Sequence, residues 1–133
     1  MANKKPKAQY QRFYEWQKRA EDDIRAMEAM FKEGGLPNPI CFHAQQSAEK
    51  YLKGFLNFHD VEFAKIHSLI QLLDQCMTLD QECASLKEDV VFLDTFYIET
   101  RYPGDYPSFS IKDAKEAYKA ALRVKDFVLE KIK

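Results

Sequence analysis

The chain has 133 residues, with 20 Lys and Arg against 21 Asp and Glu, so its formal net charge is −1. This length suits one domain, because two domains would each approach the size at which a hydrophobic core becomes marginal. With 46% hydrophobic and 31% charged residues, the composition indicates a globular protein and excludes a disordered one. We therefore expect a single domain over residues 10–133, preceded by a flexible basic tail over residues 1–9.

Several classes of protein are disfavoured by the same sequence. No apolar run approaches the roughly 18 residues that cross a bilayer, and the basic start is not followed by an apolar signal segment. We therefore expect a cytoplasmic protein with no membrane partner. A near-neutral charge is not typical of a dedicated duplex-DNA binder. The cysteines lack C-x-x-C spacing, which predicts reduced, mostly buried thiols; they are Cys41, Cys76 and Cys83.

The first predicted helix covers residues 10–31, where apolar side chains recur at steps of three and four. These side chains are Phe13, Trp16, Ala20, Ile24, Met27 and Phe31. Gly34 and Gly35 then provide a helix stop.

The second predicted helix opens with Asn38 and Pro39, a capping residue followed by proline, and runs to about residue 59. Its apolar face consists of Ile40, Ala44, Ala48, Tyr51, Leu52 and Phe55. The third predicted helix begins near residue 67, and the fourth covers residues 86–100. The fifth follows Ser110, which has capping-box spacing with Asp113. The sequence therefore predicts an all-α, antiparallel up-and-down bundle of about five helices.

A second apolar line on the fourth predicted helix, formed by Val91 and Ile98, suggests that the bundle has a partner. Phe42 similarly stands among polar residues of the second helix. Because a helix in a bundle buries one stripe efficiently, a second stripe favours a partner surface. We expect a two-fold homodimer through these two helices; the alternative is a fourth helix placed centrally in its own bundle.

The polar side of the second helix is the first candidate site. His43, Gln46, Lys50 and Asn57 share one stripe, and Lys53 lies beside it. This stripe is either a solvated helix face or an anion-binding surface, and in both cases we expect accessible lysines. Gln45 lies at the edge of the apolar face, so we expect it to be buried and hydrogen-bonded.

Other kinds of chemistry find little support in the sequence. The three histidines, His43, His59 and His67, have no pair at the spacing that lets two imidazoles bind one metal. The sequence also lacks a nucleophile elbow, a phosphate-binding glycine loop and a dinucleotide signature. We therefore expect neither a metal site nor a cofactor.

Residues 101–109 have a composition that helix packing does not explain. The segment contains Arg101, Tyr102, Asp105, Tyr106 and Phe109. Arginine suits bidentate phosphate contacts, and aromatic rings offer stacking surfaces for bases. The alternative is a packed loop in which Arg101 binds the carbonyls that end the fourth helix. The residues alone favour neither interpretation.

Three strings, in order along the chain, resemble the HEPN domain (higher eukaryotes and prokaryotes nucleotide-binding). CFHAQQSAEKYLK at residues 41–53 is similar to the A-Q-Q-A-A-E-K-x-L-K pattern of the family's second helix. KIHSL at residues 65–69 and TRYP at residues 100–103 resemble its K-x-H-[DS]-L and T-R-Y-P segments. The resemblance covers nearly the whole chain, from about residue 10 onwards.

This resemblance implies a helical bundle that commonly dimerises and acts near nucleotides or RNA. Stand-alone prokaryotic members are often paired with a minimal nucleotidyltransferase, either as its substrate-binding subunit or as the toxin of a toxin–antitoxin pair. Together with the chemistry above, it defines eight candidate nucleotide-binding residues: His43, Lys50, Lys53, His67, Arg101, Tyr102, Asp105 and Tyr106.

The sequence departs from the family at one position that matters for activity. Many members are metal-independent ribonucleases in which four to six residues separate the motif arginine from a histidine. Here residues 106–108 are Tyr, Pro and Ser. A phenol with a pKa of about 10 is a poor general base at neutral pH, whereas an imidazole at about 6.5 is a good one.

We therefore expect a nucleotide- or RNA-binding subunit of a minimal nucleotidyltransferase, without ribonuclease activity. One alternative is a metal-independent endoribonuclease toxin with a substituted general base. Another is a dimeric adaptor whose loop only packs.

Overall fold

A computed structural model describes residues 5–63, 65, 68–97 and 108–133. Within these ranges the chain forms five α-helices: α1 (Lys7–Lys32), α2 (Pro37–Phe58), α3 (Leu69–Leu79), α4 (Lys87–Asp94) and α5 (Ile111–Ile132). A 3₁₀ helix, Gln81–Leu86, precedes α4. The predicted all-helical bundle of about five helices is confirmed. No helix in the described part of the chain is long and apolar enough to cross a membrane.

α1 and α2 pack against each other along their lengths and in opposite directions. The predicted stripe of α1 is buried at Phe13, whose ring lies 6.4 Å from the rings of both Tyr51 and Phe58. Gly54 allows a close approach of the two helices, since a Cβ added there would lie 3.0 Å from Trp16 Cβ. The absence of a side chain at this position therefore sets how closely the two helices pack.

The start of α1 differs from the prediction. The helix begins at Lys7, inside the segment that we expected to be a flexible tail. Pro6 ends the extended backbone, its carbonyl accepts a hydrogen bond from the backbone N–H of Gln9, and Gln9 is buried. These contacts start the helix one turn earlier than its apolar periodicity indicates.

The relative directions of the helices follow from contacts at their ends. α2 and α5 begin side by side, because the backbone N–H of Phe109 donates to Asn38 Oδ1 at 2.9 Å. α3 begins beside the end of α4, where the N–H of Leu69 donates to Asp94 Oδ1 at 2.9 Å. Near the end of α5, Lys131 pairs with Asp80 at 2.8 Å. α3 therefore runs in the same direction as α2 and α5, while α1 and α4 run in the opposite direction.

α4 is shorter than predicted. We expected a helix over residues 86–100, but α4 ends at Asp94. The hydroxyl of Thr95 donates to the carbonyl of Phe92 at 2.6 Å, and the N–H of Phe96 bonds the carbonyl three residues earlier. This tighter hydrogen bonding ends the helix, a change that apolar spacing does not reveal. Of the two residues in the predicted second apolar line, Val91 is 44% exposed and Ile98 lies outside the described residues.

The core has α2 at its centre, and the three thiols lie within it. Cys41, Cys76 and Cys83 are free and buried, as expected. Burial, with a smaller contribution from Asp113, raises the pKa of Cys41 to about 12. Burial raises the pKa of Cys83 to about 11, and it raises the pKa of Cys76 as well. These thiols are held in the unreactive protonated form at neutral pH.

The end of α2 makes folding sensitive to pH. His59 packs edge-on against Phe55 and Phe58, with ring centroids 4.6 and 5.2 Å away. Burial and then the charge of Lys5 lower the pKa of His59 from 6.5, against the opposing effect of Asp80. The unfolded chain therefore binds this proton more readily than the folded chain. The contribution of His59 to the free energy of unfolding is fully present above about pH 6.5 and is lost on acidification.

We expect the Tm to fall between pH 7.5 and pH 5.5, and to fall less in His59→Gln than in the unsubstituted protein. Thermal denaturation followed by circular dichroism at several pH values measures both slopes. Identical slopes for the two proteins would show that His59 does not contribute.

Candidate functional site

The eight candidate residues divide into two groups. His43, Lys50 and Lys53 lie on α2 and are described by the structure. The other five lie outside the described residues: His67, Arg101, Tyr102, Asp105 and Tyr106. The geometry of the site is therefore built from α2 and from the helices that face it.

Asp23 of α1 brings two of the candidate residues together. Its carboxylate lies 2.8 Å from His43 Nδ1 through Oδ1 and accepts from Lys50 Nζ at 2.6 Å through Oδ2. Asp23 is 7% exposed, whereas the side chains of His43 and Lys50 are 29% and 23% exposed. The side chains of His43 and Lys50 are therefore partly exposed to solvent, while the buried carboxylate of Asp23 holds them in position.

The contact with Asp23 uses one of the two ring nitrogens of His43. In the neutral imidazole, Nδ1–H donates to Asp23 and Nε2 is the acceptor. Within the described part of the chain, no hydrogen bond to Nε2 is observed. An imidazole held in this way suits an exposed proton acceptor or, when protonated, a donor to an anion.

Lys53 contradicts the prediction that both lysines are accessible. It is 7% exposed, and its Nζ donates to Glu49 Oε2 at 3.0 Å. The ammonium also lies 5.8 Å from the ring of Trp16 and 5.4 Å from the ring of Phe63. Phe63 follows α2 in the chain, and a covering side chain of this kind cannot be recognised from the spacing within one helix.

A chain of hydrogen bonds connects this buried pair to the surface. Gln46 Nε2 donates to Gln45 Oε1 at 2.7 Å, and Gln45 Nε2 lies 3.4 Å from Glu49 Oε1. Gln45 is fully buried, which confirms the prediction made for it. On this side of α2, polar side chains therefore extend from the surface into the interior of the bundle.

A second polar contact ties α1, α2 and α5 together. The hydroxyl of Tyr51 donates to Glu21 Oε2 at 2.5 Å, and Lys125 Nζ lies 2.9 Å from Glu21 Oε1. Burial and this hydrogen bond raise the pKa of Tyr51 above its ordinary value. Tyr51 therefore stays a protonated, structural phenol.

Sequence reasoning missed three residues near His43 and Lys50. Trp16 was assigned to the apolar stripe, yet its Nε1–H donates to Asn57 Oδ1 at 2.9 Å at the edge of the α1–α2 contact. The Arg19 guanidinium lies 5.6 Å from the centroid of the Trp16 ring. Asp23 is the third. Its position next to Ile24 in the buried stripe was the signal that could have identified it.

Metal ligation finds no support among the described residues. Within the described ranges, no group of three or more His, Cys, Asp or Glu side chains is arranged to hold an ion. The groups that meet between α1 and α2 are the carboxylate of Asp23, the ammonium of Lys50 and the imidazole of His43.

Comparisons with known proteins place this geometry in context. A family model described as the HEPN domain matches residues 13–132. The chain is similar to ST0689, described as an archaeal HEPN homologue, with a TM-score of 0.73 and 32% identity over 91% of this chain and 98% of that one. It is also similar to TT1696 from Thermus thermophilus, with a TM-score of 0.74 and 31% identity over 90% and 98% of the two chains. No match was found among curated proteins.

Proposed function

Since the chain belongs to the HEPN domain family, we propose that it is a nucleotide- or RNA-binding subunit that works with a minimal nucleotidyltransferase. The observation that carries the proposal is the family match over residues 13–132, which include all eight candidate residues. Lys50 and His43, both partly exposed above Asp23, add groups that suit a phosphate. The nucleotidyltransferase partner follows from the family resemblance and is tested by joint purification with a minimal nucleotidyltransferase from the same organism.

No histidine follows Arg101 at residues 106–108, where the Arg-x4-6-His motif would place it, and this supports binding without RNA cleavage. Cleavage through the 2′-hydroxyl needs a proton acceptor near the phosphate-binding arginine. Tyr106 stands at the first position of that window, and a phenol accepts a proton poorly at neutral pH. The proposed subunit therefore holds a nucleotide or RNA segment and leaves chemistry to its partner enzyme.

A metal-independent endoribonuclease is the second candidate, and one observation favours it. Asp23 lies 2.8 Å from His43 Nδ1, and the His43 side chain is 29% exposed; a carboxylate that orients a partly exposed imidazole in this way is typical of a general base. A substituted base of this kind predicts RNA cleavage in the presence of EDTA.

Arg101→Ala is expected to weaken binding of a single-stranded RNA by about 10- to 100-fold, because a bidentate arginine–phosphate contact is lost. Arg101→Lys keeps the charge but loses the planar fork, so it recovers only part of the affinity. Fluorescence anisotropy of labelled RNA in EDTA measures both, and a gel of the same samples shows whether the RNA stays intact.

The matched control is Arg25→Ala, which removes an exposed arginine paired with Asp22 on α1. Unchanged affinity in both Arg101 variants, with a loss of thermal stability, would assign Arg101 to a structural role. Cleaved RNA would favour the ribonuclease instead.

The proposal includes a two-fold homodimer that covers the exposed side of α4. Val91 is 44% exposed on this helix, so its side chain is available for burial against a second copy of the chain. Val91→Glu is expected to shift the dimer towards monomer, because the interface would bury an unpaired charge. Light scattering measures the molar mass, and a monomer for the unsubstituted protein would contradict the dimer.

A further inference from the structure

The outer face of the α1–α2 pair holds an aromatic ring in a fixed position. Trp16 donates to Asn57 Oδ1 at 2.9 Å, and Asn57 Nδ2 in turn lies 3.4 Å from the carbonyl of Val61. The ring of Phe63 packs beside the indole at 5.8 Å. Because both helices and the following segment restrain it, the indole loses little freedom when a ligand binds against it.

Arg19 differs from the other arginines that the structure describes. Arg12, Arg25 and Arg123 each pair with a carboxylate, namely Asp60, Asp22 and Asp89. Arg19 is exposed and lies over Trp16, with no ion pair to any carboxylate in the described residues. A guanidinium that lies over an aromatic ring without an ion pair has donors available for a phosphate and a face available for a base.

A second pair of polar groups, Lys50 and His43 of α2, contacts α1 one helical turn further along. Asp23 is four residues after Arg19, a rise of about 6 Å, and it holds Lys50 and His43 at the surface. The Lys50 ammonium has donors beyond the one given to Asp23. The Arg19–Trp16 pair and the Lys50–His43 pair therefore follow one another along the same face.

We propose that this face binds a single-stranded RNA segment, with a base stacked on the Arg19–Trp16 pair and the neighbouring phosphate bound by Lys50 and His43. The inference rests on the proposed function and adds contacts from α1 and α2 to those proposed for residues 101–109. Alternating aromatic and cationic groups are typical of single-strand binding. A duplex has no unstacked base to offer to the ring.

The single tryptophan of the chain gives a local signal for this site. We expect a 12-nucleotide single-stranded RNA to change the emission of Trp16 as it binds. Arg19→Ala is expected to weaken binding about 10-fold, as for the loss of one stacked base. Arg19→Lys recovers only part of this loss, because an ammonium cannot stack as a planar group. Anisotropy of the labelled RNA gives the affinities.

Lys119→Ala is the matched control, since it removes an exposed cation from α5. It is expected to bind RNA as the unsubstituted protein does, and equal Tm values would confirm that all variants are folded. A peptide of 12 glutamates tests the other class of anionic ligand. Binding of this peptide with the same dependence on Arg19 would overturn the assignment to RNA.

Two negative results are distinguishable. If the unsubstituted protein binds RNA but Arg19→Ala binds equally well and the emission does not change, this face is not the site and the proposed function stands. If the unsubstituted protein binds no RNA or nucleotide, both the inference and the proposed function fail.

Discussion

Glu49→Ala is expected to lower the free energy of unfolding by about 3–5 kcal/mol, because it strands a buried ammonium. The side chains of Lys53 and Glu49 are 9% and 6% exposed and meet at 3.0 Å. Without the carboxylate, Lys53 would remain between Trp16 and Phe63 with no opposite charge from Glu49. Thermal denaturation should show a fall in Tm of about 10–20 °C for a domain of this size.

Two variants make this test specific to the buried pair. Glu130→Ala removes one partner of the Lys133–Glu130 pair, whose side chains are 74% and 70% exposed. It should change the free energy of unfolding by less than about 0.5 kcal/mol. Glu49→Gln keeps the size and polarity of the side chain, so its loss in the free energy of unfolding should lie between those of Glu49→Ala and Glu130→Ala. An equal stability of Glu49→Ala and Glu130→Ala would show that Lys53 finds compensation elsewhere.

Gly54→Val is expected to destabilise the fold by about 3 kcal/mol through overpacking. Even a single Cβ at this position would lie 3.0 Å from Trp16 Cβ and 3.1 Å from Phe13 Cδ1. Trp16 Cβ is attached directly to the backbone of α1, so the helices would have to separate. Chemical denaturation gives the free energy, and near-ultraviolet circular dichroism reports the surroundings of the indole.

Gly34→Asn is the comparison for the Gly54 variant. Gly34 lies in the turn after α1 with a φ of +71°, and nothing lies within 4 Å of an added Cβ. Asparagine tolerates this backbone conformation, so we expect a change of less than about 1 kcal/mol. If Gly54→Val were as stable as Gly34→Asn, the close approach of α1 and α2 would not be needed for stability.

The parts of the fold that were predictable depend on local periodicity. The stripe through Phe13 and Met27, the apolar face through Ala44 and Phe55, and the Ser110 capping box each follow from spacing within one helix. The early end of α4 and the early start of α1 depend on hydrogen bonds at single residues. Such bonds leave little trace in the apolar pattern.

The candidate site was less predictable, because its polar residues acquire their roles from other segments. His43 and Lys50 were recognised on one helical stripe, but their partner Asp23 comes from a different helix. Lys53 has the sequence character of an exposed lysine, and only the packing of Phe63 and Trp16 over it makes it a buried one. Residues 101–109 were selected by composition, and their proposed contacts stay a prediction.

Because all three thiols are buried, their rates of reaction with a thiol reagent report local opening of the protein. With pKa values raised to about 12 for Cys41 and about 11 for Cys83, no more than about one in a thousand of these thiols is ionised at pH 8. A thiol reagent must therefore wait for a structural fluctuation before it reacts. Cys41 lies on α2, Cys76 on α3 and Cys83 on the 3₁₀ helix. The rate of modification at each thus compares how often three neighbouring segments open in the native state.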